Sequence, residues 1–457
     1  MSDSGLDVRG LAETVLAAAG EEAAEALVRT ERSGFARFAA SELHQPTLVA
    51  DTTVQLRVLR GQRSGTASTN RLDEAGIAEL VRRAREAAES ATPDDELPPL
   101  APPGAAPAIE GWDDATARLD GDGQARLALA AIDASSLPLY GFFTSGATEF
   151  AVASTTGLRA HQRTTDATVR VIAADEGASG YAERTAWSAA RIDPAATACE
   201  AVARAERTRN AGTIEPGVYR AVLEPYALGE LLQWLAFDSF SALGLLDGAS
   251  FLAGKLGERL FDPAVTIYDD ALDPAGLPKA VDFEGVPKQR VALVEAGVAR
   301  GVVWDSSTAA RAGDGSASTG HAMPSAQRAW GPFVSALAMD GGDAPSLEAL
   351  AEAVGDGIHV TRLHYLSVVS PREGIITGTT RDGTFRIRGG RVAEPLVNLR
   401  FTVSVPELLG ELLGLTRARL LTCQSDFYDE RFAFGALMPG IATARFAVTG
   451  SGSSPGL

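Results

Sequence analysis

The chain has 457 residues, 45% of them hydrophobic and 22% charged, with a formal net charge of −18, the balance of a soluble protein with material for roughly two to four domains. So acidic a chain is repelled by phosphate backbones, whose binding depends on Lys and Arg contacts, and no nucleic-acid partner is expected. No apolar run approaches the roughly 18 residues of a spanning helix, and the opening MSDSGLDVRG has neither the basic nor the apolar region of a signal peptide, so the expected location is cytoplasmic, with no membrane partner.

In chain order, residues 6–19 predict a short amphipathic helix. Residues 27–70 alternate in strand fashion, with hairpins broken at Ser33-Gly34, Gln45-Pro46 and Arg60-Gly61. A helix over 72–91 begins with Asp73 and Glu74, which suit its positive end. The proline-rich segment 92–107, TPDDELPPLAPPGAAP, forbids a continuous helix or central strand and marks a boundary. Beyond it come a helix near 123–134, strands at 141–153, 159–173 and 177–185, and a helix opened by the cap pair Asp193-Pro194. Elements on the two sides of the linker are similar in kind, which leaves a duplication open. A strand from Gly217, the helix discussed next, further strands with helices near 346–354 and 405–413, and a final strand at 442–450 complete the chain.

The expected fold class is α+β. It comprises an N-terminal α+β domain (1–91), the linker (92–107), a middle α+β domain (108–212), a C-terminal domain of mostly antiparallel sheet (213–450) and a disordered tail (451–457). Among 41 Lys and Arg residues the only lysines are Lys255, Lys279 and Lys288, which with abundant Ala and Gly suggests a GC-rich, actinobacterial genome.

The most informative stretch is 228–261, LGELLQWLAFDSFSALGLLDGASFLAGKLGERLF. Leu228, Leu231, Leu232, Leu235, Phe240 and Leu243 recur at three- and four-residue steps, so one helix face is buried, and Gly244 and Gly248 then let the chain turn. Read plainly, this is a core helix with a buried Trp234 and an exposed Asp238. With GLLDGASFLAGKLGERLFDPAVTIYDD (244–270), RFAASELHQ (37–45), the STGHA of 318–322 and the hairpin TGTTRDGTFRIRGGRVAEPLVNLRF (377–401), it resembles the TldD/PmbA peptidases, once described as modulators of DNA gyrase, and within them the PmbA (TldE) type.

In the TldD branch of that family the helix carries two His five residues apart with a Glu after the first, and a Cys near the C-terminus completes a zinc site. Here Gln233 and Asp238 fall at the His positions and Trp234 at the Glu. Catalytic zinc needs three strong ligands and an open position, with a base for the bound water. Gln is a poor ligand, Trp is no base, and Asp238 alone does not hold a metal. No catalytic residue, metal ligand or cofactor is therefore expected in this chain, and zinc is expected in a partner subunit. The resemblance places the cysteine ligand near Phe434-Gly435 rather than at Cys423. Cys199 and Cys423 have no CxxC partner, and both read as reduced core thiols. His359 and His364 share a predicted strand whose spacing sends them to opposite faces, away from a common metal.

The loop RAGDGSASTGHAMP (311–324) resembles a family segment. Its Ser318, Thr319, Gly320 and His321 are peptide-binding candidates, because small residues let another backbone approach closely, as strand addition requires. A surface loop is the alternative. There is no GxSxG elbow and no phosphate loop, so a serine-hydrolase centre and a nucleotide cofactor are not expected. The resemblance implies a non-metal subunit that joins a TldD-like zinc peptidase as a heterodimer and degrades unfolded peptides or processes leader peptides. A homodimer of this chain alone would have no catalytic centre. Two other readings stay open: a silent peptide-binding or scaffold protein, and an independent hydrolase drawing on Asp238, His321, His359, His364 and Cys423.

Overall fold

The computed structural model describes residues 6–425, 427 and 430–452. In its N-terminal half one order of elements, a helix, three strands and a helix, occurs twice. The first set is α1 (Val8–Ala19), β1 (Ala23–Ala39), β2 (Glu42–Arg60), β3 (Arg63–Thr69) and α2 (Glu74–Ser90). After the one-turn α3 (Asp114–Ala117), the second is α4 (Gly121–Asp133), β4 (Leu139–Ser154), β5 (Arg159–Asp175), β6 (Ala178–Ala186) and α5 (Pro194–Arg207). Each long helix starts at an Asp whose carboxylate accepts a first-turn N–H: Asp7 from Gly10, Asp73 from Gly76, Asp120 from Gly123 and Asp193 from Ala196. Such a cap is worth about 1 kcal/mol.

The six strands form one antiparallel sheet in the order β3-β2-β1-β4-β5-β6, with β1 against β4 at its middle. The two sets are thus related by an approximate two-fold axis, and the hydrogen-bonded sheet runs across the proline-rich segment. Two glycines repeat with the elements. A Cβ on Gly65 of β3 would stand 2.1 Å from the backbone N of Ala88 in α2, and one on Gly180 of β6 would stand 2.2 Å from the carbonyl O of Ala201 in α5. Each helix therefore packs directly on its third strand.

Two of the expected hairpin breaks lie inside strands. Gly34 is in β1 because the Gln124 side chain of α4 occupies the space of its Cβ, at 2.0 Å. Pro46 is in β2 beyond the reach of β3, which pairs only with residues 54–60, so its missing N–H removes no ladder bond. The turn between β1 and β2 falls instead at Ala40 and Ser41, both with positive φ.

The C-terminal half contains β7 (Gly217–Leu223), α6 (Pro225–Ser239), α7 (Ala242–Leu246), β8 (Ile267–Asp269), β9 (Val291–Glu295), β10 (Val298–Ala299), α8 (Ser306–Ala312), β11 (Ala336–Met339) and α9 (Leu347–Val354). It ends with β12 (Gly357–Ser370), β13 (Ile375–Arg388), β14 (Arg391–Leu396), β15 (Leu399–Ser404), α10 (Val405–Gly410), β16 (Leu412–Cys423) and β17 (Gly435–Ser451). Its 11-stranded sheet is mainly antiparallel, with parallel pairing of β11 on β17 and of β12 on β7. Because β17 pairs with both β15 and β7, and β15, β13, β12 and β7 pair in turn, these strands close on themselves. The α+β class holds in both halves. Residues 453–457, most of the expected tail, lie outside the described residues, and Ser451 still belongs to β17. Among the described residues no helix is long and apolar enough to cross a membrane.

One arginine pins the halves together. Arg431, from the segment between β16 and β17, is buried and pairs with Asp166 of β5 through Nε at 2.9 Å and Nη2 at 2.5 Å, while Nη1 donates to Thr144 of β4 at 3.0 Å. Gly146 of β4 makes room for it.

The paired glycines generate a prediction. Gly65→Ala and Gly180→Ala should each destabilise the protein by about 1–3 kcal/mol or more through overpacking. Gly410→Ala, where nothing lies within 4 Å of a new Cβ, should stay within about 0.5 kcal/mol of the parent. Urea unfolding of the three variants checks the contrast.

Candidate functional site

The site is organised by α6. Pro225 occupies its first turn, and the preceding Glu224 is held by three donors: His359 Nε2 at 2.9 Å, Thr361 Oγ1 at 3.0 Å and Arg204 Nη2 at 2.6 Å. Burial pushes the Glu224 carboxyl up, but Arg204 and His359 outweigh it and hold the group at about 2. His359 is thus a structural partner of the helix start. Leu228, Leu231, Leu232 and Leu235 enter the core shared with Ile358 and Leu363 of β12, Phe401 of β15 and Ile441 of β17. Gly229 allows α6 to lie on Thr422 of β16, whose Oγ1 would be 2.5 Å from a Cβ there. Only Glu230, Trp234, Phe237 and Asp238 remain at least partly open, and their spacing places them on one stripe.

Trp234 and Asp238 both depart from the plain reading of the sequence, which buried the first and exposed the second. Gln233 is 3% exposed and its Nε2 donates to Val334 O at 3.2 Å, whereas Trp234 is 40% exposed and Asp238 is half-buried. The leucine periodicity predicted a buried face, but the helix is packed on most of its circumference, and Trp234 lies on the stripe left open. Beside Asp238, Phe237 stacks on Phe333 with ring centroids 5.1 Å apart, and Phe333 meets Phe432 at 6.1 Å and Phe434 at 4.9 Å.

This donor set does not fit zinc. A tetrahedral centre needs imidazole, thiolate or carboxylate groups converging on one point. Here Gln233 is turned into the core, Trp234 offers no lone pair, and the surroundings of Phe434 are aromatic. Among the described residues no three His, Cys, Asp or Glu side chains form a group that could hold a metal. Cys423 pairs across the ladder with Gly435, and burial pushes its thiol up to about 11, away from the thiolate that nucleophiles require. Cys199 is not a core thiol but sits exposed on α5.

Of the open stripe, Glu230 and Trp234 face a cleft of about 280 Å³ between the two halves of the molecule. Tyr226, Glu230 and Trp234 of α6 form one wall, Arg362 and His364 of β12 another, and Arg170 of β5 and Glu183 of β6 contribute from the N-terminal sheet. Arg170 pairs with Glu183 at 2.6 Å, and Arg362 pairs with Asp382 at 2.7 Å while stacking 4.2 Å from the Tyr181 ring centroid. Glu230 has no hydrogen bond or ion pair among the described residues, and burial raises its carboxyl to about 7 against the pull of Arg362 and Arg170. His364 is driven down to about 4 by burial, Arg381 and Arg362. It stacks on Tyr365, which is 80% exposed and has a φ of 51° at a bulge in β12. The sequence reading passed over Glu230, although its position four residues before Trp234 was a usable signal.

The loop candidates sit elsewhere. Gly320 and His321 are buried, and Ser318 and Thr319 are half-buried. Gly320 does permit a close backbone approach, but by the chain's own Pro287, whose O would be 2.5 Å from a Cβ. His321 Nε2 donates to Asp269 at 3.0 Å, leaving Nδ1 to accept from the Thr319 hydroxyl at 2.9 Å. Burial is the largest influence on Asp269 and pushes it up, yet His321 and Lys288 hold it at about 2. Nearby, buried Lys288 donates to Ser335 at 3.2 Å, and burial, reinforced by Lys288, brings Lys279 down to about 7. The adjoining cavities, of about 10 and 30 Å³, have room for water but not for a peptide.

The profile of the PmbA/TldA metallopeptidase C-terminal domain matches residues 216–450, and that of PmbA/TldA metallopeptidase domain 1 matches residues 24–88. An uncharacterized protein of Methanocaldococcus jannaschii is 40% identical over 102 residues, 22% of this chain and 24% of the relative. A metalloprotease of Methanothermobacter thermautotrophicus is 28% identical over 214 residues, 46% of each. The chain thus spans about a quarter and about half of these two curated relatives. Thermococcus kodakarensis TldE shares the fold with a TM-score of 0.85 at 20% identity, over 96% of this chain and 100% of that one. A candidate modulator of a DNA gyrase from Thermotoga maritima does so with 0.83 at 19%, over 96% and 99%.

The unpaired Glu230 generates a prediction about pH. Its carboxyl is raised from 4.5 in the unfolded chain to about 7, so the folded state binds the proton more tightly. The penalty is absent below pH 4.5, grows as pH rises, and is complete above pH 7. Glu230→Gln should therefore be more stable than the parent by about 1–3 kcal/mol at pH 8 and nearly equal to it at pH 4.5. Denaturant unfolding at the two pH values measures the difference.

Proposed function

The chain belongs to the PmbA/TldD metallopeptidase family, and from that membership we propose that it is the subunit of a two-chain peptidase that carries no metal of its own. One observation carries the reading. The helix that resembles the family's ligand-bearing helix is intact, yet its open stripe presents Glu230, Trp234, Phe237 and Asp238, and Gln233 is committed to Val334.

In this reading a homologous chain with the HExxxH helix supplies zinc, water and base. The present chain closes the peptide chamber in a cytoplasmic heterodimer that cleaves unfolded or leader peptides. Support comes from the rim of the cleft, where Trp234 is 40% and Tyr365 80% exposed. Large aromatic side chains left open around a concavity suit an interface anchor. The positive φ of Tyr365 is a conformation that a non-glycine residue adopts at a cost of order 1–3 kcal/mol, and here it turns the ring outward.

The experiment is a peptidase assay on an unstructured fluorogenic peptide. This chain alone should leave it intact. Mixed with an HExxxH homologue from the same organism, it should form a complex whose cleavage is abolished by a chelator. Cleavage by this chain alone, persisting in the chelator, would contradict the proposal in favour of an independent hydrolase, and a homologue fully active without this chain would favour a silent binding protein.

A further inference from the structure

We infer that the cleft beside α6 is a recognition site for a primary ammonium group, held by the Glu230 carboxylate against the open ring of Trp234. The inference rests on the peptide-handling reading only in taking that ammonium from a peptide, as its N-terminus or a lysine side chain. The cleft geometry argues for it without that reading.

The argument starts from which charges in the cleft are already satisfied. Arg170 is paired with Glu183, and Arg362 with Asp382. Glu183 also accepts from the Tyr181 hydroxyl at 2.9 Å and from the Cys423 backbone N–H at 2.7 Å. The Tyr226 hydroxyl is engaged by Arg184 at 2.8 Å and donates to the Glu183 carbonyl at 3.1 Å. Asp382 is approached by Arg381 as well, at 3.7 Å, and burial, with Arg381 and Arg362, keeps the His364 imidazole neutral. Glu230 is the carboxylate left over, at the opposite wall.

A carboxylate only partly open to water, with no donor among the described residues, is costly unless a partner arrives. Four residues further along α6, on the same stripe, Trp234 offers an exposed indole face, the best aromatic surface for a cation. An ammonium between the two would receive a charge-assisted bond from Glu230 and the attraction of the ring. The cleft, at about 280 Å³, admits the end of a peptide. A guanidinium would meet Arg170 and Arg362 nearby, so the compact ammonium fits this wall better.

The test is calorimetric titration of the intact chain at pH 8 with trialanine amide and with its N-acetylated form, and with Nα-acetyl-lysine amide and its norleucine counterpart. The free amines should bind at least tenfold more tightly than their uncharged counterparts, and the stronger of the two identifies the natural source. Glu230→Gln should lose at least tenfold, Trp234→Ala several-fold, and parent affinity should fall at pH 6 as Glu230 takes up its proton, with no such fall in Glu230→Gln. Because Glu230 has no partner among the described residues, Glu230→Gln should fold, and its circular dichroism spectrum checks that. Equal binding of acetylated and free peptides, undiminished binding by folded Glu230→Gln, or no binding of either amine would overturn the inference. Complex formation with the HExxxH homologue, followed by size-exclusion chromatography, is a separate readout. An active complex whose isolated subunit binds no amine refutes this inference alone, and amine binding without complex formation refutes only the two-chain reading.

Discussion

The enclosure of α6 is the constraint on which the rest depends. The helix packs on β12, β16 and β17, so a residue on it either enters the apolar core or lies on the one stripe left open. Gln233 falls on the core side, where its Nε2 donates to Val334 O while its buried Oε1 finds no partner among the described residues. Glu230, Trp234, Phe237 and Asp238 fall on the open side, and the first two line the cleft. A zinc centre would require the helix and the neighbouring β16–β17 connection to supply ligands together, and the described residues of that connection nearest Phe333 and α6 are Phe432 and Phe434.

The second organising feature is the joint between the halves, where buried charge lies beside an apolar cluster that joins Phe150, Val152 and Leu158 to Val281 and Phe283. Arg431 enters the N-terminal sheet and is met by Asp166, with Gly146 clearing its path. Lys279 and Lys288 lie buried close by, with Asp269, Asp282 and His321 around them. In a chain so poor in lysine, placing two of them at this joint is a definite choice. Breaking one member of such a set leaves an uncompensated buried charge, so the joint resists piecemeal substitution and holds the cleft walls in register.

Much of this was legible in the sequence. Asp73 and the Asp193-Pro194 pair announced the starts of two of the long N-terminal helices, because the geometry of a helix start is local and the residues that satisfy it are few. Proline and glycine misled where tertiary context decided the outcome. Gly34 reads as a turn, yet its role is to admit Gln124, and Pro46 reads as a strand break, yet it sits on an edge with no ladder bond to lose. The exposure of Trp234 was missed because periodicity identifies a buried face without telling how much of the remaining circumference neighbouring strands cover. Cys199 escaped for the same reason, since it lies on the outer face of α5. Glu230 was hidden because its significance is the absence of a partner, a property of three dimensions.

Elemental analysis of the chain, purified without added metal and compared with its complex with the HExxxH homologue, tests the central claim most directly. The account predicts no stoichiometric zinc in the isolated chain and about one zinc in the two-chain complex. About one zinc per isolated chain, retained through mild chelation, would contradict it.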